Sequence, residues 1–264
     1  MEIQAASPLL KASENGQEIV VKRLLDRGAE IETKTNQGDT PLLLASEKGH
    51  ENVVTLLLDR GADIETKTDQ GATPLSIASE NGHENVVTLL LDRGADIKTK
   101  ENKGFSPLSV ASKNGHENVV TLLLDRGAEI ETKTNQGDTP LSVASQNGHE
   151  NVVTLLLDRG AEIETKTTRG STPLSIASQN GHENVVTLLL DRGANIETKT
   201  TQGASPLAIA SHTGHENVVT LLLDRGADIE TKTDWGSSPL SLALQNGHES
   251  VVRLLLYRGA DIAT

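Results

Sequence analysis

The chain has 264 residues with 24 Lys and Arg against 37 Asp and Glu, a net charge of −13, which opposes general binding to nucleic acid or to an anionic membrane surface, since both rest on protein cations meeting phosphate charge. It contains no cysteine, so a disulfide framework, a zinc–thiolate centre and a Cys nucleophile are excluded. No stretch approaches the roughly 18 apolar residues of a membrane span, and Met1 to Ser7 lack the basic and apolar regions of a secretory signal; the expected setting is cytoplasmic and the expected form a soluble intracellular protein.

Proline stands at positions 8, 41, 74, 107, 140, 173, 206 and 239, each step being 33 residues with no insertion or deletion. A fixed period in this range marks a tandem array whose units cannot bury their apolar faces alone. The first unit, residues 1–33, carries Lys22 and Arg23 where the next has Thr55 and Leu56, and Gln17 where later units have His. Charge on an outermost helix is what an end unit needs, so an N-terminal cap is expected here.

The second unit shows the pattern fully. Thr40 is a capping residue type and Pro41 suits the first helical position; the apolar stretch Leu42 to Ala45 predicts a helix reaching Lys48, stopped by Gly49. A short turn leads to a second helix over roughly residues 51–59, where Val53, Val54, Leu56, Leu57 and Leu58 are apolar around more than one stripe. Neighbouring units on both sides must therefore cover it. Gly61 ends that helix, and the stretch up to Ala72, rich in Asp, Thr, Gln and Gly, predicts a projecting β-turn or hairpin. Residues 34–231 repeat this scheme as six internal units. In the last unit, 232–264, Arg253 is polar, but Leu254, Leu255, Leu256 and Tyr257 leave the final helix as apolar as an internal one. This predicts either an open end or a continuing array.

Thr-Pro-Leu-x-x-Ala opening the first helix, and Gly-His-Glu-Asn-Val-Val-x-Leu-Leu-Leu-x-x-Gly-Ala-Asp forming the second, closely resemble the ankyrin repeat across the whole chain. The resemblance implies an all-α solenoid of antiparallel helix pairs joined by β-turn hairpins, one domain over 1–264, with hairpin tips and first helices lining a concave face that grips partner proteins. There are departures. The signature His after Thr-Pro-Leu is replaced by Leu43, Ser76, Ser109, Ser142, Ser175, Ala208 and Ser241, and by Leu10 in the first unit. In the family that His joins a backbone hydrogen-bond network between units; a Ser hydroxyl could serve in part, Leu and Ala could not. Glu65-Thr66-Lys67-Thr68 also stands where the family shows Asn-Ala-Lys-Asp.

Repetition separates scaffold from site. Residues recurring at one offset in every unit are explained by building a unit, and a specific site must lie where units differ. The ladder His50, His83, His116, His149, His182, His215 and His248 is thereby structural: stacked helices lie about 8–10 Å apart, too far for ligands that must come within about 2.0–2.3 Å of one zinc ion. Glu51 and its counterparts suit the first turn of the second helix. Arg60 and Lys67 have counterparts that partly offset the acidic ladders. Ser, His and Asp recur without the unique arrangement of a triad, and no phosphate-binding Gly loop occurs. No catalysis, metal or cofactor is expected.

The offsets that vary are few. Before the tip Gly the series is Gln37, Gln70, Lys103, Gln136, Arg169, Gln202, Trp235; after it, Asp39, Ala72, Phe105, Asp138, Ser171, Ala204, Ser237; at the end of the first helix, Glu47, Glu80, Lys113, Gln146, Gln179, His212, Gln245. The candidate partner-binding residues are Asp39, Glu47, Glu80, Lys103, Phe105, Lys113, Asp138, Gln146, Arg169, Gln179, His212, Trp235 and Gln245, with neutral drift at exposed positions as the alternative. Phe105 and Trp235 stand out as aromatics at tips, since aromatic and Arg residues carry much interface energy; for Trp235 local packing on the last hairpin is the alternative. Lys98, Lys100, Lys103 and Lys113 surround Phe105 as a basic spot, predicting a partner segment with acidic and apolar groups. The function expected is a non-catalytic scaffold for a protein of unknown identity. A structural or elastic array within a longer protein, or a consensus-like artificial repeat protein, are the alternatives. A monomer is expected, with end-to-end stacking through the last unit as a further state.

Overall fold

The computed structural model describes residues 7–262; Met1 to Ala6, read above for a secretory signal, lie outside them. Contacts divide the chain into two compact units, Met1–Thr134 and Asn135–Thr264, each holding four helix pairs. In the N-terminal unit the first helices are Pro8–Glu14, Pro41–Glu47, Pro74–Glu80 and Pro107–Asn114, and the second helices Glu18–Asp26, Glu51–Asp59, Glu84–Asp92 and Glu117–Asp125. In the C-terminal unit they are Pro140–Gln146, Pro173–Asn180, Pro206–Thr213 and Pro239–Gln245, then Glu150–Asp158, Glu183–Asp191, Glu216–Asp224 and Glu249–Tyr257. No strand occurs among the described residues.

Each first helix begins at a hydroxyl and a proline. Thr40 Oγ1 accepts the Leu43 N–H, and Thr73 Oγ1 accepts that of Ser76 while Ser76 Oγ accepts that of Thr73, closing a reciprocal cap. Serine at the signature position thus closes the cap of its own helix. The bond between repeats falls to a different residue, the His before each second helix. Its Nε2–H donates to the carbonyl ending the preceding repeat's first helix: His50 to Glu14 at 2.9 Å, His83 to Glu47 at 2.7 Å and His116 to Glu80 at 2.8 Å. In the C-terminal unit His182, His215 and His248 do the same to Gln146, Gln179 and His212. The ring also seats on the preceding repeat's turn glycine. A Cβ on Gly148, whose φ is +73°, would lie 2.6 Å from His182 Nδ1, so both conformation and space demand glycine there.

The core lies within and between the pairs. Val53, Val54 and Leu57 from a second helix, with Leu42 and Ala45 from a first, are essentially inaccessible, as are their counterparts in later repeats except Val252 of the last, which is only partly buried; each buried Val or Leu contributes about 1.5–3 kcal/mol. At the tips a single turn replaces a two-stranded ladder. Thr35 N–H donates to Asp39 O, Gly38 N–H to Thr35 O, and the Thr35 hydroxyl oxygen accepts from Gln37 and Asp39 N–H; the side chain takes over bonds that paired strands would have made. Successive tips are tied by their backbones, Asn102 N–H to Gln70 O in one unit and Thr201 N–H to Arg169 O in the other.

The outer repeats differ from inner ones. Lys22 and Arg23 are exposed, but so are Ile19 and Val20, at 70% and 42%, and this outer helix is not uniformly polar. In the last repeat Leu244, Leu256 and Tyr257 are exposed at 59%, 42% and 87%. Leu244 stands where Ser46, Ser79, Ser145 and Ser178 are fully buried.

Candidate partner-binding face

Most repeated charges are consumed in joining one repeat to the next. Arg60, Arg93 and Arg126 pair with Asp26, Asp59 and Asp92, all at 2.8 Å, and Arg192, Arg225 and Arg258 pair with Asp158, Asp191 and Asp224 at 2.7–2.8 Å. The acidic series offset by arginine is therefore the Asp that ends each second helix. Glu65 accepts the Asp96 N–H, Glu164 that of Asn195 and Glu197 that of Asp228. Lys100, Lys166 and Lys199 donate across the next joint to the carbonyls of Lys133, Lys199 and Lys232. These contacts recur with the period and explain the repeated side chains as scaffold.

The variable residues lie along tips and first-helix ends. In the N-terminal unit Asp39 is half-buried and accepts from the Thr35 hydroxyl at 3.1 Å, holding its own turn. Glu47 meets Lys48 at 2.8 Å, an exposed pair, and the carboxylate holds the Lys48 ammonium above its usual range. Glu80 and Lys103 are exposed. Phe105 is half-buried, with the Lys113 ammonium 5.5 Å from its ring centroid.

The basic spot expected around Phe105 is not one. Lys98 is paired with Glu129 at 3.0 Å and Lys100 is bonded to the Lys133 carbonyl, so both long side chains turn to the next repeat. Lys103 and Lys113 share the place with Glu101 and Glu80. Burial pushes the Glu101 carboxyl above the usual carboxylate range, opposed by the Ser76 hydroxyl, raised further by Glu80 and lowered by the two lysines. Glu101 was absent from the expected site. The signal was available: its offset holds Thr35, Thr68, Thr134, Thr167, Thr200 and Thr233 elsewhere.

In the C-terminal unit the candidates come together. A hollow of about 360 Å³ is lined by Asp138, Gln146, Arg169 and Gln179 among others. Another, of about 470 Å³, is lined by Arg169, Gln179, His212 and Trp235, with Ala208, Ile209, Thr213 and Leu242 as its floor. Arg169, Ser171 and Gln179 belong to both, so the two form a continuous groove. Trp235 is 72% exposed, which answers against local packing of its ring. The His212 Nδ1 accepts from Asn246 Nδ2 at 3.0 Å. Gln245 lines neither hollow. Ile209 and Leu242 stand in a column that is apolar from Leu44 onward and reads as core, yet both are only partly buried and line the groove.

Among the described residues no cluster of His, Asp and Glu is arranged to hold a metal ion, and no helix is long and apolar enough to cross a membrane. The groove offers hydrogen-bonding groups, one guanidinium and apolar surface.

A family model described as ankyrin repeats, in three copies, matches residues 3–68, 64–134, 97–167, 131–200, 164–233 and 198–264. Among solved structures the human ASB11 ankyrin repeat domain is similar, with a TM-score of 0.74 and 31% sequence identity, over 82% of this chain and 97% of that one. No curated protein matches the chain significantly.

Proposed function

The chain belongs to the ankyrin-repeat family, whose members are generally protein-interaction scaffolds, and from this we propose that it grips a partner protein through the face built by its tips and first-helix ends, without catalysis. One observation carries the reading. Residues that vary from repeat to repeat, Asp138, Gln146, Arg169, Gln179, His212 and Trp235, line one groove, whereas the repeated Arg, the Asp that ends each second helix, the turn Glu and the His are occupied in joints between repeats. Neutral drift has no reason to gather its changes around a hollow, and a spring-like array has no need of an exposed tryptophan there.

The test is an affinity capture with quantitative mass spectrometry, run on the native chain and on one whose tips and first-helix ends all carry the commonest residue of their column. Proteins held by the native chain and lost by the levelled one are expected. Equal recovery by both would move binding off this face.

A further inference from the structure

We propose that the groove of the C-terminal unit takes an extended peptide segment in which an Asp or Glu carboxylate stands a few residues from a large apolar side chain, the carboxylate at Arg169 and the apolar group at Trp235. This rests on the partner-face reading and specifies its occupant.

Charge points to the carboxylate. The molecule carries a net −13, yet among the described residues no Asp or Glu lines the larger hollow, and Asp138 is the one carboxylate lining the adjoining one. Arg169 stands where the two hollows meet, is exposed, and makes no ion pair among the described residues. The arginines of the second-helix ladder, by contrast, are paired. A free planar fork suits a carboxylate, which it binds through two parallel N–H donors. His212 lies along the same groove, and the larger hollow itself holds no carboxylate to neutralise a basic partner side chain.

The apolar half of the occupant follows from the other end. Trp235 is 72% exposed in a column otherwise made of Gln, Lys and Arg, and the partly exposed Ile209 and Leu242 line the same hollow. Covering such a surface is favourable, and a large apolar or aromatic side chain covers it best. At about 470 Å³ the hollow has room for a few side chains and not for a globular element. Gln179 and Gln202, at its rim, supply amide groups of both polarities to the backbone of an extended segment.

The experiment is selection of a random-peptide phage library on the full chain, followed by fluorescence anisotropy of the enriched peptides, synthesised with a fluorescein label. The variants Arg169→Gln and Trp235→Gln each install the residue that most other tips hold, so the fold is retained, and thermal unfolding checks this. Enriched sequences are expected to pair Asp or Glu with Leu, Phe or Trp, to lose at least tenfold in affinity with either variant, and to lose less than twofold with Asn184→Ala, exposed on a second helix away from the groove. Saturation should also shift the emission of Trp235, the sole tryptophan, to shorter wavelength. Failure to enrich acidic–apolar sequences, or unchanged affinity for Arg169→Gln, overturns the proposal. Should such peptides still be lost by the levelled chain, the face binds and only the stated chemistry fails; should they bind the levelled chain equally, both readings fail. Concentration-dependent self-association abolished by Arg169→Gln would place a second copy in the groove and overturn the proposal as well.

Discussion

Gly148 meets two separate demands, a left-handed backbone and contact with the His182 ring, whereas Gly160 has the same backbone sign with nothing within 4 Å of a would-be Cβ. Gly160→Ala is expected to cost about 1–2 kcal/mol from conformation alone, and Gly148→Ala a further ~1–3 kcal/mol from crowding. Urea unfolding of both checks this, and adding His182→Ala should remove the excess from Gly148→Ala and nothing from Gly160→Ala. Glu101 gives a pH-dependent case. Its folded carboxyl is raised by burial, so the folded state resists its ionisation; that penalty is absent below the ordinary Glu value of about 4.3 and grows as pH rises through the folded value. Glu101→Gln should therefore raise the melting temperature at pH 7 and leave it unchanged near pH 3.5. A gain of the same size at both would show that burial of the charge is not the cause.

Helix bounds were legible because each end is punctuated: Pro41 and Thr40 start one helix, Gly49 stops it, and Glu51–Asp59 falls where its apolar residues predicted. What joins the elements was less so. The period says that His182 recurs, but not that its ring reaches a carbonyl 36 residues back, because reach across a joint depends on the tilt of stacked helices. Tips were read as possible hairpins, and the Thr35 hydroxyl, by taking two N–H donors, leaves only a turn. The energetic weight lies in the packed faces: Leu156→Ala, at a site with no exposure, should cost about 2–5 kcal/mol. Arg192→Ala, which breaks a half-exposed pair with Asp158, should cost under about 1 kcal/mol. Thermal unfolding of the two variants orders these contributions, and a larger loss from Arg192→Ala would mean that the joints are electrostatic.

Across the whole molecule, variation between repeats marked the tip and first-helix columns as candidates, and Arg169, Gln179, His212 and Trp235 share a groove. Sequence could not say that Phe105 would be half-buried under Lys113 or that Lys98 would be drawn to Glu129, since a column gives position and not the direction of a long side chain. Nor did it separate two units at Thr134 and Asn135, where the repeat runs on unbroken. Leu244, Leu256 and Tyr257, exposed on the last repeat, predict that amides beyond Leu244 exchange hydrogen fastest within the C-terminal unit; uniform protection up to Gly259 would contradict this. The central claim is that partners are held by the variable face and not by the repeated one. Its most direct measurement places a photo-crosslinking residue at Gln179 or Trp235, and separately at Asn184, exposed on the second helix of the same repeat as Gln179. Crosslinks to one partner from Gln179 and Trp235 and none from Asn184 are predicted, and equal or greater yield from Asn184 would contradict the account.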